Sequence, residues 1–262
     1  MKRPLAVSVV GLLLAAAGIA AAQQDLAAYV SGDRRSGFTF LAPETRALQT
    51  DEFRNPGMLW VEEGERLWSV APPGGQSCAG CHKDAAVSMK GVAASYPAYD
   101  EEQKHVINLE QQINQCRGRQ KQPALAWESR ELLALTAYVG RQSLGMPVAV
   151  KIDGPAAQSF ARGKEEYEMR RGQLDLSCAA CHESQVGAKL RAEVISQGQM
   201  NGFPIYRQLW QTMGSSHRMI AWCNEAVRAE TYPAGSQEYV DLELYAKWRG
   251  RGLPVETPAV RR

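Results

Sequence analysis

Ser77-Cys78-Ala79-Gly80-Cys81-His82 and Ser177-Cys178-Ala179-Ala180-Cys181-His182 are two copies of C-x-x-C-H, and the architecture follows from them. Two cysteines one helical turn apart can form thioethers to both vinyl groups of one porphyrin. The adjacent histidine then gives the iron its proximal nitrogen, which is the pattern of covalent c-type haem attachment. A four-cysteine zinc site is the competing assignment, but it leaves both histidines without a role and needs the two halves adjacent. The motifs therefore predict two c-type haems, covalently attached at Cys78, Cys81, Cys178 and Cys181, with His82 and His182 on the irons.

On either side of these motifs the chain repeats. Gly64-Glu65-Arg66-Leu67-Trp68 begins 14 residues before Cys78, and Gly163-Lys164-Glu165-Glu166-Tyr167 begins 15 before Cys178. Each predicts a short helix that packs an aromatic residue near a haem. Downstream, Tyr138 through Gly145-Met146-Pro147-Val148 matches Tyr245 through Gly252-Leu253-Pro254-Val255 at an offset of 107. Gly followed by Pro stops a helix. The haem motifs differ by only 100, so the second copy carries seven extra residues between His182 and its distal side. Inserted length of this kind is expected near a functional site. The expected fold is all-α: two tandem cytochrome c domains, 46–150 and 151–262, each with one covalently attached haem. They are joined by the stretch from Gly145 to Gly154 and preceded by an N-terminal extension, 23–45, with little pattern.

The remaining cysteines obey the same repeat, since Cys116 and Cys223 each stand 22 residues before the matching tyrosine. Val106, Leu109, Ile113 and Cys116 fall on one helical face, as do Ile220, Cys223 and Val227, so each cysteine is expected to look at a haem. Three assignments are open: a Cys116–Cys223 disulfide, buried inert thiols, or thiolate ligation of both irons, which stabilises ferric iron. The repeat favours ligation. Met58, Met89, Met146, Met200, Met213 and Met219 do not recur at equivalent positions. His105 is expected on the solvent side of a charged helix, and His217 is a rival ligand for the second iron.

Thirty Lys and Arg against 28 Asp and Glu are too balanced for a nucleic-acid binder. Lys2 and Arg3, the apolar run to Ala22 and the Ala20-Ala21-Ala22 ending predict a signal peptide, 1–22, that is cleaved. An uncleaved anchor is the alternative, weakened by the run's alanine content. The expectation is an exported protein with no membrane span after processing.

Two C-x-x-C-H motifs each followed by a distal cysteine, together with Gln173-Leu-Asp-Leu-Ser-Cys178 and Cys223-Asn-Glu-Ala-Val-Arg228-Ala-Glu230, resemble the dihaem A subunits of the Sox sulfur-oxidising cytochrome complex. Asn201-Gly-Phe-Pro-Ile-Tyr206 and the segment Leu242 to Pro254 are similar to that family as well. The resemblance covers nearly the whole mature chain. It implies a periplasmic L-cysteine S-thiosulfotransferase, paired with a small monohaem X subunit of SoxX type. Such an enzyme joins thiosulfate to a cysteine of a SoxYZ-type sulfur-carrier protein and passes electrons to a cytochrome c.

Carried onto this chain, the resemblance makes His82 with Cys116, and His182 with Cys223, the axial pairs, and Cys223 the catalytic cysteine. It also implies an arginine four residues before that cysteine, where this chain has Met219. Arg218, five residues before, is the candidate thiosulfate-binding residue, and it faces the sulfur only if the helix begins after it. His217 and Arg228 are further candidates for favouring the Cys223 thiolate. A thiosulfate dehydrogenase forming tetrathionate and a dihaem electron shuttle are the alternative functions. A dihaem peroxidase has no residue of its own to support it.

Overall fold

Residues 26–190 and 192–262 are described by a computed structural model; the expected signal peptide, 1–22, lies outside them. The chain builds eight helices that matter for the site. In the first half these are α1 (Met58–Ser69), α2 (Cys78–His82), α3 (Leu109–Arg119) and α4 (Arg130–Arg141). Their counterparts are α5 (Ala157–Glu168), α6 (Cys178–His182), α7 (Ser216–Ala226) and α8 (Gln237–Arg249). Trp60, Val61, Gly64 and Trp68 form the buried stripe of α1, at helical spacing. Ser129 and Ser236 cap α4 and α8 by accepting from the amides of Leu132 and Tyr239.

Each half crosses its first helix on its last at a glycine. A Cβ on Gly64 would overlap the carbonyl oxygen of Ala134, and one on Gly163 would overlap that of Asp241. Ala134 and Asp241 are separated by the same 107 residues as Tyr138 and Tyr245, so the two crossings share one register. Trp68 and Tyr167, the aromatic residues of the two repeat segments, are 5% and 3% exposed. They pack beside Cys78 and Cys178 respectively.

Where the halves meet, the segments after α4 and α8 hydrogen-bond reciprocally. The Gly145 amide donates to Val255 O and the Gly252 amide to Val148 O, each at 2.9 Å. Val148 N likewise donates to Leu253 O, and Val255 N to Met146 O. Exchanging equivalent residues turns each bond into another of the set, which is local two-fold symmetry. Gly145 and Gly252 have φ of +75° and +80°, a conformation that excludes most side chains at these turns.

Short strands accompany the helices, so the fold is mostly helical but not all-α. A hairpin pairs β1 (Ala98–Asp100) with β2 (His105–Ile107), ahead of α3. Its counterpart pairs β3 (Ile205–Arg207) with β4 (Thr212–Gly214), ahead of α7, and β3 also pairs in parallel with β5 (Ala259–Arg261). His105 is therefore on a strand, half-buried, with Nδ1 3.0 Å from Gln103 O, and α3 begins only at Leu109. The helical face read from Val106 to Cys116 loses Val106 to β2, because the Asn108–Gln111 capping box fixes the helix start behind it. The two hairpins are already offset by 107, which places the seven extra residues between His182 and β3. That stretch carries its own hairpin, Lys189–Leu190 with Glu193–Val194.

The N-terminal extension is ordered rather than patternless. Val30–Ser31 pairs with Arg34–Arg35, and Phe38 is 2% exposed and stacks on Tyr29. The Ser36 hydroxyl donates to the buried carboxylate of Glu256. Its sequence gave no periodicity because it is held by the C-terminal segment instead of by a face of its own. Among the described residues no helix is long and apolar enough to cross a membrane.

A polar cluster lies buried between α3 and α8. Glu110 is 5% exposed, and Glu243 and Lys247 are nearly as enclosed. Burial first, then the charge of Glu243 and that of Glu128, pushes the Glu110 carboxyl up to about 8, against the pull of Lys247. Burial also acts to raise Glu243, but the hydrogen bond from His217, with the charge of Lys247 and a hydrogen bond from Asn108, outweighs it and holds that carboxyl low. Between the ordinary carboxylate range and about 8, the native state keeps a proton on Glu110 that the unfolded chain has lost. Stability must therefore fall as pH rises through that window. Glu110→Gln removes the titration, so thermal melts at pH 5 and pH 8 should show the variant gaining on wild type at the higher pH. An equal offset at both values would refute this.

Candidate functional site

The two C-x-x-C-H segments fold as single helical turns because serine caps each one. Ser77 Oγ accepts from the Gly80 amide at 3.0 Å and Ser177 Oγ from the Ala180 amide at 3.1 Å. Cysteines at i and i+3 thereby share one side of the turn, and the histidine follows at its end.

The Cys78 thiol is pushed up by burial and next by the negative charge of Cys116. Burial pushes the Cys178 thiol up to about 11. The Cys223 thiol is pushed up to about 12 by burial, then by Cys178 and, more weakly, Cys181. Cys116 accepts from Gln112 Nε2 at 3.2 Å, one turn earlier on α3. All six cysteines are free, so Cys116 and Cys223 are not joined as a disulfide. Among the described residues no three His, Cys, Asp or Glu side chains are arranged to hold a metal ion by themselves.

His182 is prepared to give Nε2 to an iron. Its Nδ1 lies 2.8 Å from Ser196 O, which places the ring proton there and leaves the other nitrogen its lone pair. Burial keeps the ring's pKa low, favouring the neutral form that ligates. Gly198, at φ +70°, lets the backbone close over this ring, since a Cβ there would lie 2.8 Å from His182 Cγ. Ser196 and Gly198 both belong to the longer connection of the second half, so the insertion cradles the proximal histidine. In the first half His82 lies 5.7 Å from the Trp68 ring, and Trp68 Nε1 donates to Lys83 O at 3.1 Å.

The other candidate residues are used differently. His217 is fully buried: its Nδ1 accepts from the Gly235 amide at 3.0 Å, and Nε2 lies 3.2 Å from Glu243. It also stacks on Trp127, so neither nitrogen is available as a rival ligand. Helix α7 starts at Ser216 under a Ser215 cap, so Arg218 is already helical. It sits about 140° around the helix from Cys223. Its guanidinium lies over Trp210, donates to Met213 O and reaches Glu128 at 3.9 Å. Arg228 is exposed and donates to Gln173.

The cation that acts on Cys223 is Arg207, which opposes the upward push on the thiol. It is 3% exposed and lies over the Trp222 ring at 4.0 Å. Spacing arguments miss it because it comes from β3, a strand outside the helical repeat.

The family described as SoxA/TsdA, cytochrome c domain, matches residues 63–148. The L-cysteine S-thiosulfotransferase subunit SoxA of Pseudaminobacter salicylatoxidans is 46% identical over 229 residues, covering 86% of this chain and 80% of the relative. The chain belongs to the SoxA family. The corresponding subunit of Rhodovulum sulfidophilum is 44% identical, covering 87% of this chain and 80% of its own. The crystal structure of SoxXA from Paracoccus pantotrophus superposes with a TM-score of 0.83 at 40% identity, over 87% of both chains. A cytochrome c domain implies c-type haem, and the paired cysteines, the oriented His182 and the glycine cradle at Gly198 fit that group.

Proposed function

We propose that the chain is a periplasmic dihaem subunit of an L-cysteine S-thiosulfotransferase of Sox thiosulfate oxidation, with Cys223 carrying the sulfur. Two cytochrome c domains, 46–150 and 151–262, follow a signal peptide cleaved after Ala22. Cys78 and Cys81 would hold one haem, with His82 and Cys116 to bind its iron. Cys178 and Cys181 would hold the other, with His182 and Cys223. When bound, haem supplies one-electron acceptance next to the sulfur chemistry. The observation that carries the proposal is that α7, the helix of Cys223, packs its Ile220 in one cluster with Tyr167 and Cys178, while the buried Arg207 lies over Trp222 of the same helix.

The chemistry balances as an oxidative joining. The Cys223 thiolate and thiosulfate form one S–S bond, giving Sγ–S–SO₃⁻ and releasing two electrons. Arg207 favours the thiolate against the cost of burial. A carrier cysteine thiolate then attacks the central sulfur, takes the S–SO₃⁻ group and expels Cys223 as thiolate, with no further electron change. The electrons leave for a cytochrome c. A SoxX-type cytochrome is the partner subunit and a SoxYZ-type protein the carrier.

Non-reducing peptide mass spectrometry of Cys223, before and after incubation with thiosulfate, tests this. An extra sulfur or a thiosulfonate adduct on Cys223 supports the transferase. An unmodified thiol under both conditions would leave an electron shuttle, and a Cys116 cross-link a structural disulfide. Product analysis separates the transferase from a thiosulfate dehydrogenase, which would form tetrathionate without a carrier.

A further inference from the structure

Arg207 is a buried cation with an incomplete set of partners. Its Nε donates to Arg262 O at 2.9 Å, Nη1 to the Met219 thioether at 3.5 Å, and Nη2 to Glu193 at 3.4 Å. A thioether is a weak acceptor, and 3.4 Å is long for a charged pair. A guanidinium has five N–H donors, so each terminal nitrogen keeps one that these bonds leave over. Glu193, its one ion-pair partner, is 44% exposed. The charge is thus enclosed but only partly answered, a costly arrangement unless an anion completes it.

The position of the guanidinium relative to Cys223 follows from helix geometry. Met219 is four residues before Cys223 on α7, about 40° around the helix, and Trp222 is about 100° around on the same side. Arg207 touches both, 3.5 Å from the Met219 sulfur and 4.0 Å from the Trp222 ring. It therefore covers the strip of helix surface that borders the Cys223 sulfur. Trp210 closes the other side at 5.1 Å, and Arg218 lies beyond it at 4.3 Å from the same ring. Arg218 is already engaged by Glu128 and Met213 O, and it lies about 140° around α7 from Cys223.

We infer that Arg207, not Arg218, is the substrate-binding arginine: its two spare N–H groups take two oxygens of the thiosulfate sulfonate and leave the terminal sulfur directed at Cys223. The assignment rests on the function proposed above. It also gives Trp222 and Trp210 a task, since sandwiching the planar guanidinium fixes the direction of its donors.

The test uses the haem-loaded chain with its cytochrome partner. The thiosulfate concentration giving half-maximal Cys223 adduct is measured for wild type, Arg207→Lys, Arg207→Gln and Arg218→Gln, with the haem absorption spectrum as a control. Losing the guanidinium should raise it about 100-fold in Arg207→Gln. Arg207→Lys keeps the charge but not the paired donors and should raise it about tenfold. In both, the maximal adduct yield and the spectrum should stay near wild type, and Arg218→Gln should saturate like wild type. Wild-type saturation in Arg207→Lys, or a larger shift in Arg218→Gln, would overturn the assignment. If Arg207→Gln fails to accumulate, Arg207→Lys alone decides. A wild-type protein that forms no adduct would instead overturn the function itself, and the assignment with it.

Discussion

Cys223→Ser should lower thiosulfate conjugation by about a thousandfold or more, with both haems still attached. Serine keeps the side chain's size but replaces a polarisable sulfur with an alcohol that neither ionises at working pH nor forms a transferable S–S bond. The attachment cysteines, Cys178 and Cys181, are on a different element, α6, so covalent haem content should be unchanged. Pyridine haemochrome content and carrier-coupled turnover, measured on the same preparation, check both halves of this expectation. Cys116→Ser is the matched control: it should shift the spectrum of the first haem and change the rate only modestly. Turnover that survives Cys223→Ser would refute the mechanism.

Gly163→Ala should be strongly destabilising for a change of a single methyl group. The new Cβ would overlap the carbonyl oxygen of Asp241, a backbone atom of α8 that cannot rotate aside as a side chain can. The crossing must open, at a cost of about 3 kcal/mol. For a chain of this size that is a fall of about 10 °C in Tm. Gly118→Ala is the contrast, since Gly118 lies in the last turn of α3 and a Cβ added there would meet nothing within 4 Å. There alanine should add a few tenths of a kcal/mol through helix propensity. Thermal melts of the haem-loaded proteins distinguish the two, and an unchanged Tm for Gly163→Ala would show that the helices are not held at contact distance.

Both predictions depend on features that differ in how far the sequence reveals them. The C-x-x-C-H turns, the distal cysteines and the glycines at the crossings recur at fixed offsets, and a repeat is visible in one dimension. The structure shows the serine-capped turns and places Gly64 and Gly163 at equivalent crossings. What failed was read from single stretches out of context. His105 was assigned to a helix because its neighbours are charged, but pairing with Asp100 puts it on a strand. His217 is a rival ligand as one of two histidines outside the motifs, yet its ring is spent on Gly235 and Glu243.

By itself, then, the sequence determined the repeat and the paired cysteines and histidines that fit c-type haem, because haem attachment and helix crossing each demand particular residues at particular spacings along one chain. Only the tertiary structure decided which arginine serves the sulfur. Arg207 and Cys223 are brought together by the packing of a strand on a helix. Their separation of 16 residues matches no helical or strand period and carries no signal until the chain has folded.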